Sequence, residues 1–263
     1  MPRSKTGVIT GATSGIGAGF ARAFAGQGYD LILTGRRKEK LADLAAEISN
    51  KYSVNVVQKL IELSDPVQVK AFIDELKALE IDLLINNAGF GMRATFLQES
   101  VEKLNTMIAV HAAVPMQLMH SLLPGMIQRQ SGIIINVASV AGFFPLPKSG
   151  VYSATKSFLT LLTESMHVEL QKSGVRVQAL CPGMTVTDFH SKLGKNPDRF
   201  YKKSGPMKAM TPEQVVEVSL KYLKKNKPLC VPGINNRFLV TIPRLLSKSM
   251  IYKLTRAVRD RET

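Results

Sequence analysis

Tyr152 and Lys156 stand four residues apart at the start of a helical pattern, so their side chains share one face. A free phenol titrates at about 10. A lysine ammonium beside it favours the phenolate and brings the group toward working pH, where it can serve as a general acid or base. Ser139 lies thirteen residues before Tyr152, in Asn136-Val137-Ala138-Ser139, just after a strand pattern.

A second cluster is suited to phosphate. Val8-Ile9-Thr10 ends a strand and runs straight into Gly11-Ala12-Thr13-Ser14-Gly15-Ile16-Gly17. Gly11 permits a tight turn, Gly15 lets backbone approach a pyrophosphate, and Gly17 lets the next helix pack close to the sheet. The helix N-terminus offers unpaired N–H groups to the phosphates. Between a strand and a helix in a βαβ unit, this spacing points to a dinucleotide. The second strand ends in Thr34-Gly35-Arg36-Arg37, where an acid would take a ribose 2′-hydroxyl and repel a 2′-phosphate. Arginine pairs well with phosphate, so two arginines here favour NADP(H) over NAD(H). Solvated loop charge is the competing reading, easier to accept for Arg37 than for Arg36.

The elements that must position these groups alternate strand and helix, the pattern of a parallel sheet covered on both faces. Strands are expected at 8–10, 31–34, 54–60, 83–85, 132–137, 175–180 and 229–231. Helices are expected at 16–28, 38–52, 66–79 and 153–173. A long helix at 101–130 is expected to break near Pro115 or Pro124. Residues 183–210 read as a substrate loop. Thr211-Pro212-Glu213-Gln214 is a helix start, with a Thr cap, Pro in the first turn and Gln three after the cap. Residues 1–235 read as one domain and 236–263 as a basic amphipathic extension in which Pro243 marks a break or a helix start.

Asn86-Asn87-Ala88-Gly89 follows the fourth strand. With the glycine loop, Ser139, Tyr152 and Lys156 in this order, residues 6–190 resemble the short-chain dehydrogenase/reductase family. The resemblance implies a Rossmann-like, doubly wound parallel sheet and an oxidoreductase. Tyr152 would donate a proton to a substrate carbonyl as hydride arrives from the nicotinamide, Ser139 would polarise that carbonyl, and Lys156 would also hold the nicotinamide ribose. It further implies that Asn87, with Ala88 and Gly89, lies on the cofactor side, Leu63 near the adenine, and Pro182, Gly183 and Thr185 or Thr187 near the carboxamide. A homo-oligomer is implied as well.

Two positions depart from the family. His111 occupies the slot of an Asn thought to position a relay water through its backbone carbonyl, which His retains. Tolerated substitution and reduced activity both remain open, and a metal site is not expected there. Glu62 replaces the usual Asp near the adenine, leaving that contact to the Leu63 backbone. The apolar loop residues Phe90, Met92, Phe96, Phe143, Phe144, Leu146, Met184 and Phe189 favour an apolar carbonyl or alcohol substrate over a sugar. The rival is a catalytically weak family member that senses cofactor or associates with membranes. Intact Ser139, Tyr152 and Lys156 argue against it, and His111 keeps it open.

The chain has 263 residues, 45% hydrophobic and 21% charged, which excludes disordered, collagen-like and disulfide-scaffold classes. Cys181 and Cys230 have no metal spacing and read as reduced thiols. The net charge of +15 is uneven: residues 190–263 hold 17 basic and 5 acidic side chains. From Phe238 to Arg259, apolar Leu239, Ile242, Leu246 and Met250 recur at near-helical spacing among Arg244, Lys248, Lys253, Arg256 and Arg259. This segment fits a helix docked on its own subunit or a neighbour, or peripheral membrane binding. Nucleic-acid binding lacks any recognised module. No targeting segment or membrane span is visible, so a cytoplasmic protein is expected, with membrane contact at most peripheral.

Overall fold

A computed structural model describes residues 3–92, 94–191 and 209–259. Seven parallel strands form one sheet in the order β3-β2-β1-β4-β5-β6-β7. They are β1 (Lys5–Ile9), β2 (Tyr29–Gly35), β3 (Val56–Leu60), β4 (Ile81–Asn86), β5 (Gly132–Val137), β6 (Val175–Leu180) and β7 (Leu229–Cys230). Every residue of β4 and β5 is buried, as a sheet covered on both faces demands. Because β1 pairs with both β2 and β4, the strand order reverses there and opens a crevice beyond their carboxyl ends.

One face is covered by α1 (Gly15–Ala25), α2 (Lys38–Tyr52) and α8 (Pro212–Lys224), whose Phe20, Phe24, Leu41, Ile48, Val215 and Leu223 pack on Leu33 and Ile85. On the other face, α3 (Pro66–Lys77) and α5 (Val114–Gln128) bring Phe72, Leu76, Leu118 and Met126 against Val8, Leu84 and Ile134. α8 starts as its sequence requires. Thr211 Oγ1 accepts from the Gln214 N–H at 3.3 Å, and Gln214 Oε1 accepts from the Thr211 N–H at 3.0 Å.

The long helix does not break at a proline. α4 (Val101–Ile108) passes through a π-helical turn at Ala109–Ala113 into α5, and Pro124 sits inside α5. Pro115 follows the turn as the second residue of α5, so its missing N–H falls where the helix changes register. The run Val101–Gln128 is long and apolar enough to cross a bilayer by length and composition, and here Leu104, Met107, Leu118 and Met126 bury it in the core. α6 (Gly150–Glu169) begins three residues earlier than the sequence pattern suggests. It is tied to the sheet by a buried chain in which Asn86 Nδ2 donates to Asn136 Oδ1 and Asn136 Nδ2 donates to Thr163 Oγ1, each at 2.8 Å.

α7 (Asp188–Ser191) precedes residues 192–208, the greater part of the expected substrate loop, which lies outside the described residues. The C-terminal segment forms α9 (Ile234–Leu245) and α10 (Lys248–Arg259). They part at Leu246, in extended backbone, and Pro243 lies within α9 instead of marking the break.

Candidate active site

A cleft of about 980 Å³ opens at the carboxyl end of the sheet. Its cofactor end depends on a clasp between the first and fourth strands. Thr10 Oγ1 accepts from the N–H groups of Asn87 and Ala88 at 3.0 and 3.1 Å, and Asn87 Nδ2 donates to the carbonyls of Thr10 and Gly11 at 3.0 and 2.9 Å. Gly11 has φ +66°, and a Cβ there would come within 2.7 Å of Ala88 Cα. A Cβ on Gly17 would come within 2.5 Å of Asn87 Nδ2. Gly17 thus makes room for the Asn87 clasp and for the Gly11 carbonyl, 2.6 Å from the same point, as a close approach of α1 to the end of β1 requires; it lies outside the cleft lining.

Around this clasp the expected cofactor residues converge. Gly11, Thr13, Ser14, Gly15 and Ile16 line one wall, and Asn87, Ala88 and Gly89 adjoin them. Leu63 and Glu62, Arg36 and Arg37, and Pro182, Gly183, Thr185 and Thr187 complete the surround. Ser14 precedes α1 without a side-chain cap, which leaves the first N–H groups of the helix for an anion.

The two arginines reverse the expected roles. Arg37 is held: its guanidinium donates to Thr13 Oγ1 at 2.9 Å, Ser14 Oγ at 2.6 Å and Asp188 Oδ2 at 2.7 Å. Arg37 and Lys40 keep the Asp188 carboxyl below its usual range. Arg36 is the exposed one, paired with Glu62 at 3.0 Å. Burial works against the charge of Glu62, but the Ser64 hydroxyl and Arg36 outweigh it, so its carboxyl titrates below the usual range. The acid substituted near the adenine position therefore engages the arginine beside it.

At the other end Ser139, Tyr152 and Lys156 line the same cleft. Burial pushes the Tyr152 phenol up to about 12, against a hydrogen bond with the Ser139 side chain that lowers it. Burial brings the Lys156 ammonium down to about 8. Lys156 Nζ donates to the Val137 carbonyl at 2.8 Å and stands 5.8 Å from the Tyr152 ring centre. Desolvation disfavours the charged form of each group and so acts against the phenolate that a lysine neighbour favours.

His111 is fully buried behind this wall and does not line the cleft. Its Nε2 accepts the Phe90 N–H at 2.9 Å, so Nδ1 carries the proton and faces Thr155 Oγ1 at 3.4 Å. Thr155 Oγ1 in turn donates to the Tyr152 carbonyl at 2.9 Å. Burial, then the Lys156 charge, hold the imidazole well below its usual titration, so it stays neutral. Pro115 has no N–H to give the carbonyl of His111, four residues before it, so that carbonyl lacks its α-helical partner. Thr10 and Thr155 escaped the sequence reading. The only signals were a threonine ending β1 and another one turn after Tyr152.

Of the apolar residues expected around a substrate, Phe90, Met92, Leu146, Met184 and Phe189 line the cleft. Phe96 is exposed, and Phe143 packs instead against Ala138, Cys181 and Val240. Phe144 does not line the cleft. Cys181 and Cys230 are buried free thiols, pushed up to about 12 by burial. Among the described residues no cluster of His, Cys, Asp or Glu could hold a metal.

The family model for the short chain dehydrogenase matches residues 5–198. Sulfoacetaldehyde reductase 2 of Chromohalobacter salexigens is 39% identical over 186 residues, 69% of this chain and 73% of its own length. A very-long-chain 3-oxoacyl-CoA reductase of Phaeosphaeria nodorum is 35% identical over 216 residues, 76% of this chain and 62% of its own. The short-chain dehydrogenase of Sphingobium yanoikuyae, solved in complex with NADPH, superposes with a TM-score of 0.81 at 31% identity, covering 88% of each chain. Matched in sequence over most of its length and in fold over nearly all of it, the chain belongs to the short-chain dehydrogenase/reductase family of oxidoreductases.

Proposed function

We propose that this protein is an NADP(H)-dependent oxidoreductase of apolar carbonyl and alcohol substrates, with Tyr152 as the general acid and base. The observation that carries the reading is one cleft with Ser139, Tyr152 and Lys156 at one end and two arginines at the other. The residues fit a dinucleotide: the uncapped N-terminus of α1 suits phosphate, and Gly11 and Gly15 line the cleft beside it without side chains. When bound, the nicotinamide supplies or accepts the hydride.

The chain's own groups handle the proton. Burial keeps the Tyr152 phenol protonated through neutral pH, the form that donates during reduction. A carbonyl oxygen placed between Tyr152 and Ser139 meets two hydroxyl donors, which stabilise the charge that develops on it. In oxidation Tyr152 must give up that proton, and Lys156 stabilises the resulting phenolate. His111 is a positioning residue. Its ring holds the loop after β4 through Phe90 and, through Thr155, the start of α6.

Preference for a 2′-phosphate is supported by Arg37, already fixed beside Thr13 and Ser14, and by Arg36, which needs only to turn from Glu62. NADPH in the Sphingobium yanoikuyae relative agrees with it. The apolar lining from Phe90, Met92, Leu146, Met184 and Phe189 suits an acyl or other lipid-like chain. In this respect the 3-oxoacyl-CoA relative is a better guide than the sulfoacetaldehyde relative. Self-association is supported by an exposed apolar row on α6, Phe158, Leu161 and Val168.

Tyr152→Phe lowers NADPH-dependent ketone reduction by roughly 10²–10⁴-fold, while NADPH binding by fluorescence titration stays nearly unchanged; normal turnover would refute the mechanism. Arg36→Ala raises the Kd for NADPH about tenfold or more, the worth of a charged hydrogen bond, and leaves NADH little affected. Equal losses for the two cofactors contradict a 2′-phosphate role. His111→Ala leaves the partly buried Phe90 N–H without its side-chain acceptor, at a cost of about 1 kcal/mol, and lowers kcat more than it raises KM. His111→Asn, which keeps an acceptor, restores kcat, and equal loss in both variants would count against positioning. Light scattering on the intact chain reports an oligomer that Leu161→Glu dissociates; a monomeric parent removes the α6 interface.

A further inference from the structure

The proposed reaction makes no direct use of α9 and α10, yet these helices carry a pronounced asymmetry. The inner side of α9 is docked. Val240 is buried with Ala138, Ala179, Cys181 and Val231, and Asn236 Nδ2 donates to the Pro232 carbonyl at 2.7 Å. Asn236 also packs so closely on Gly183 that a Cβ there would come within 2.5 Å of it. Arg237 Nε donates to the Val231 carbonyl at 3.2 Å, and its guanidinium lies 5.5 Å over the Tyr222 ring.

The opposite side is bare. Ile234, Phe238, Ile242 and Leu245 follow one another at intervals of four, four and three residues, which aligns them in a single stripe. They are 62%, 66%, 43% and 80% exposed. Beyond Leu246, α10 adds exposed Met250 and Tyr252 beside exposed Lys248, Lys253 and Arg256. From Ile234 to Arg259 the chain has six lysines and arginines and no aspartate or glutamate.

We propose that α9 and α10 dock this protein on an anionic lipid surface. The stripe Ile234–Phe238–Ile242–Leu245 enters the boundary between headgroups and acyl chains, and Lys248, Lys253 and Arg256 of α10 meet anionic headgroups. Charge decides against a second copy of the chain. A two-fold contact would set this positive segment against itself, with no acid in it to compensate. A nucleic acid would satisfy the cations but leave the four apolar side chains without a partner. The inner side of α9 packs on the short helical turn Val140–Phe143 that follows Ser139, so docking holds the mouth of the cleft close to the lipid. The proposal stands whatever the substrate is.

Co-sedimentation of the full chain with phosphatidylcholine vesicles, with and without phosphatidylserine, tests it. Binding is expected to the phosphatidylserine vesicles, weakening as salt rises. Phe238→Glu combined with Leu245→Glu should reduce it by roughly tenfold or more, and Lys253→Glu combined with Arg256→Glu should abolish the preference for phosphatidylserine. NADPH binding, measured separately, should be unchanged in both variants and so shows that they fold. The proposal is overturned if the parent fails to sediment with vesicles, or if the apolar-stripe variant sediments as well as the parent. It is equally overturned if that variant changes only the oligomeric mass, which would assign the stripe to a second copy, or if the parent binds DNA or RNA but no vesicle.

Discussion

The hydrogen bonds between Thr10 and Asn87 hold the architecture of the site in place. They join the carboxyl ends of β1 and β4 where the strand order reverses, the one place in the sheet where a crevice opens between neighbouring strands. Much follows from that join. Gly11 and Gly17 must lack a Cβ because Ala88 and Asn87 occupy the space. The N-terminus of α1 then lies open at the cleft, with Arg37 fastened across Thr13 and Ser14.

At the opposite end, burial sets the protonation states. It raises the phenol of Tyr152, lowers the ammonium of Lys156 and keeps His111 neutral, three shifts with a common leading cause: a charge partly withdrawn from water is disfavoured whatever its sign. The wall that carries these groups is mechanically continuous. Asn136 and Thr163 pin α6 to the sheet, and Thr155 links its first turn to His111 and through it to the loop at Phe90. A histidine fits the slot because its bare nitrogen accepts the Phe90 N–H, and Pro115 lies four residues on, where its missing N–H leaves the His111 carbonyl without its usual partner.

Local signals were readable wherever the physics is local. The capping box at Thr211, the buried runs of β4 and β5 and the glycine loop all formed where their residue types indicate. The failures involve either partners distant in sequence or prolines that a helix absorbs. Arg37 looked like the freer of the two arginines, but its partners Thr13 and Asp188 lie 24 and 151 residues away. The long helix changes register through a π turn that ends two residues before Pro115, and it runs on through Pro124. Pro243 likewise failed to end α9.

By itself, the order of motifs along the chain determined the family, the parallel α/β class and most of the residues that meet at the cleft, because each rests on a short pattern with its own backbone requirement. Only the tertiary structure decided what those residues are chemically. The protonation of Tyr152, the tautomer of His111, the partners of Arg36 and Arg37, and the division of α9 into a docked and a bare side all depend on which groups fold against them and how much water remains. Burial and long-range pairing are properties of the assembled molecule, and residue spacing does not carry them.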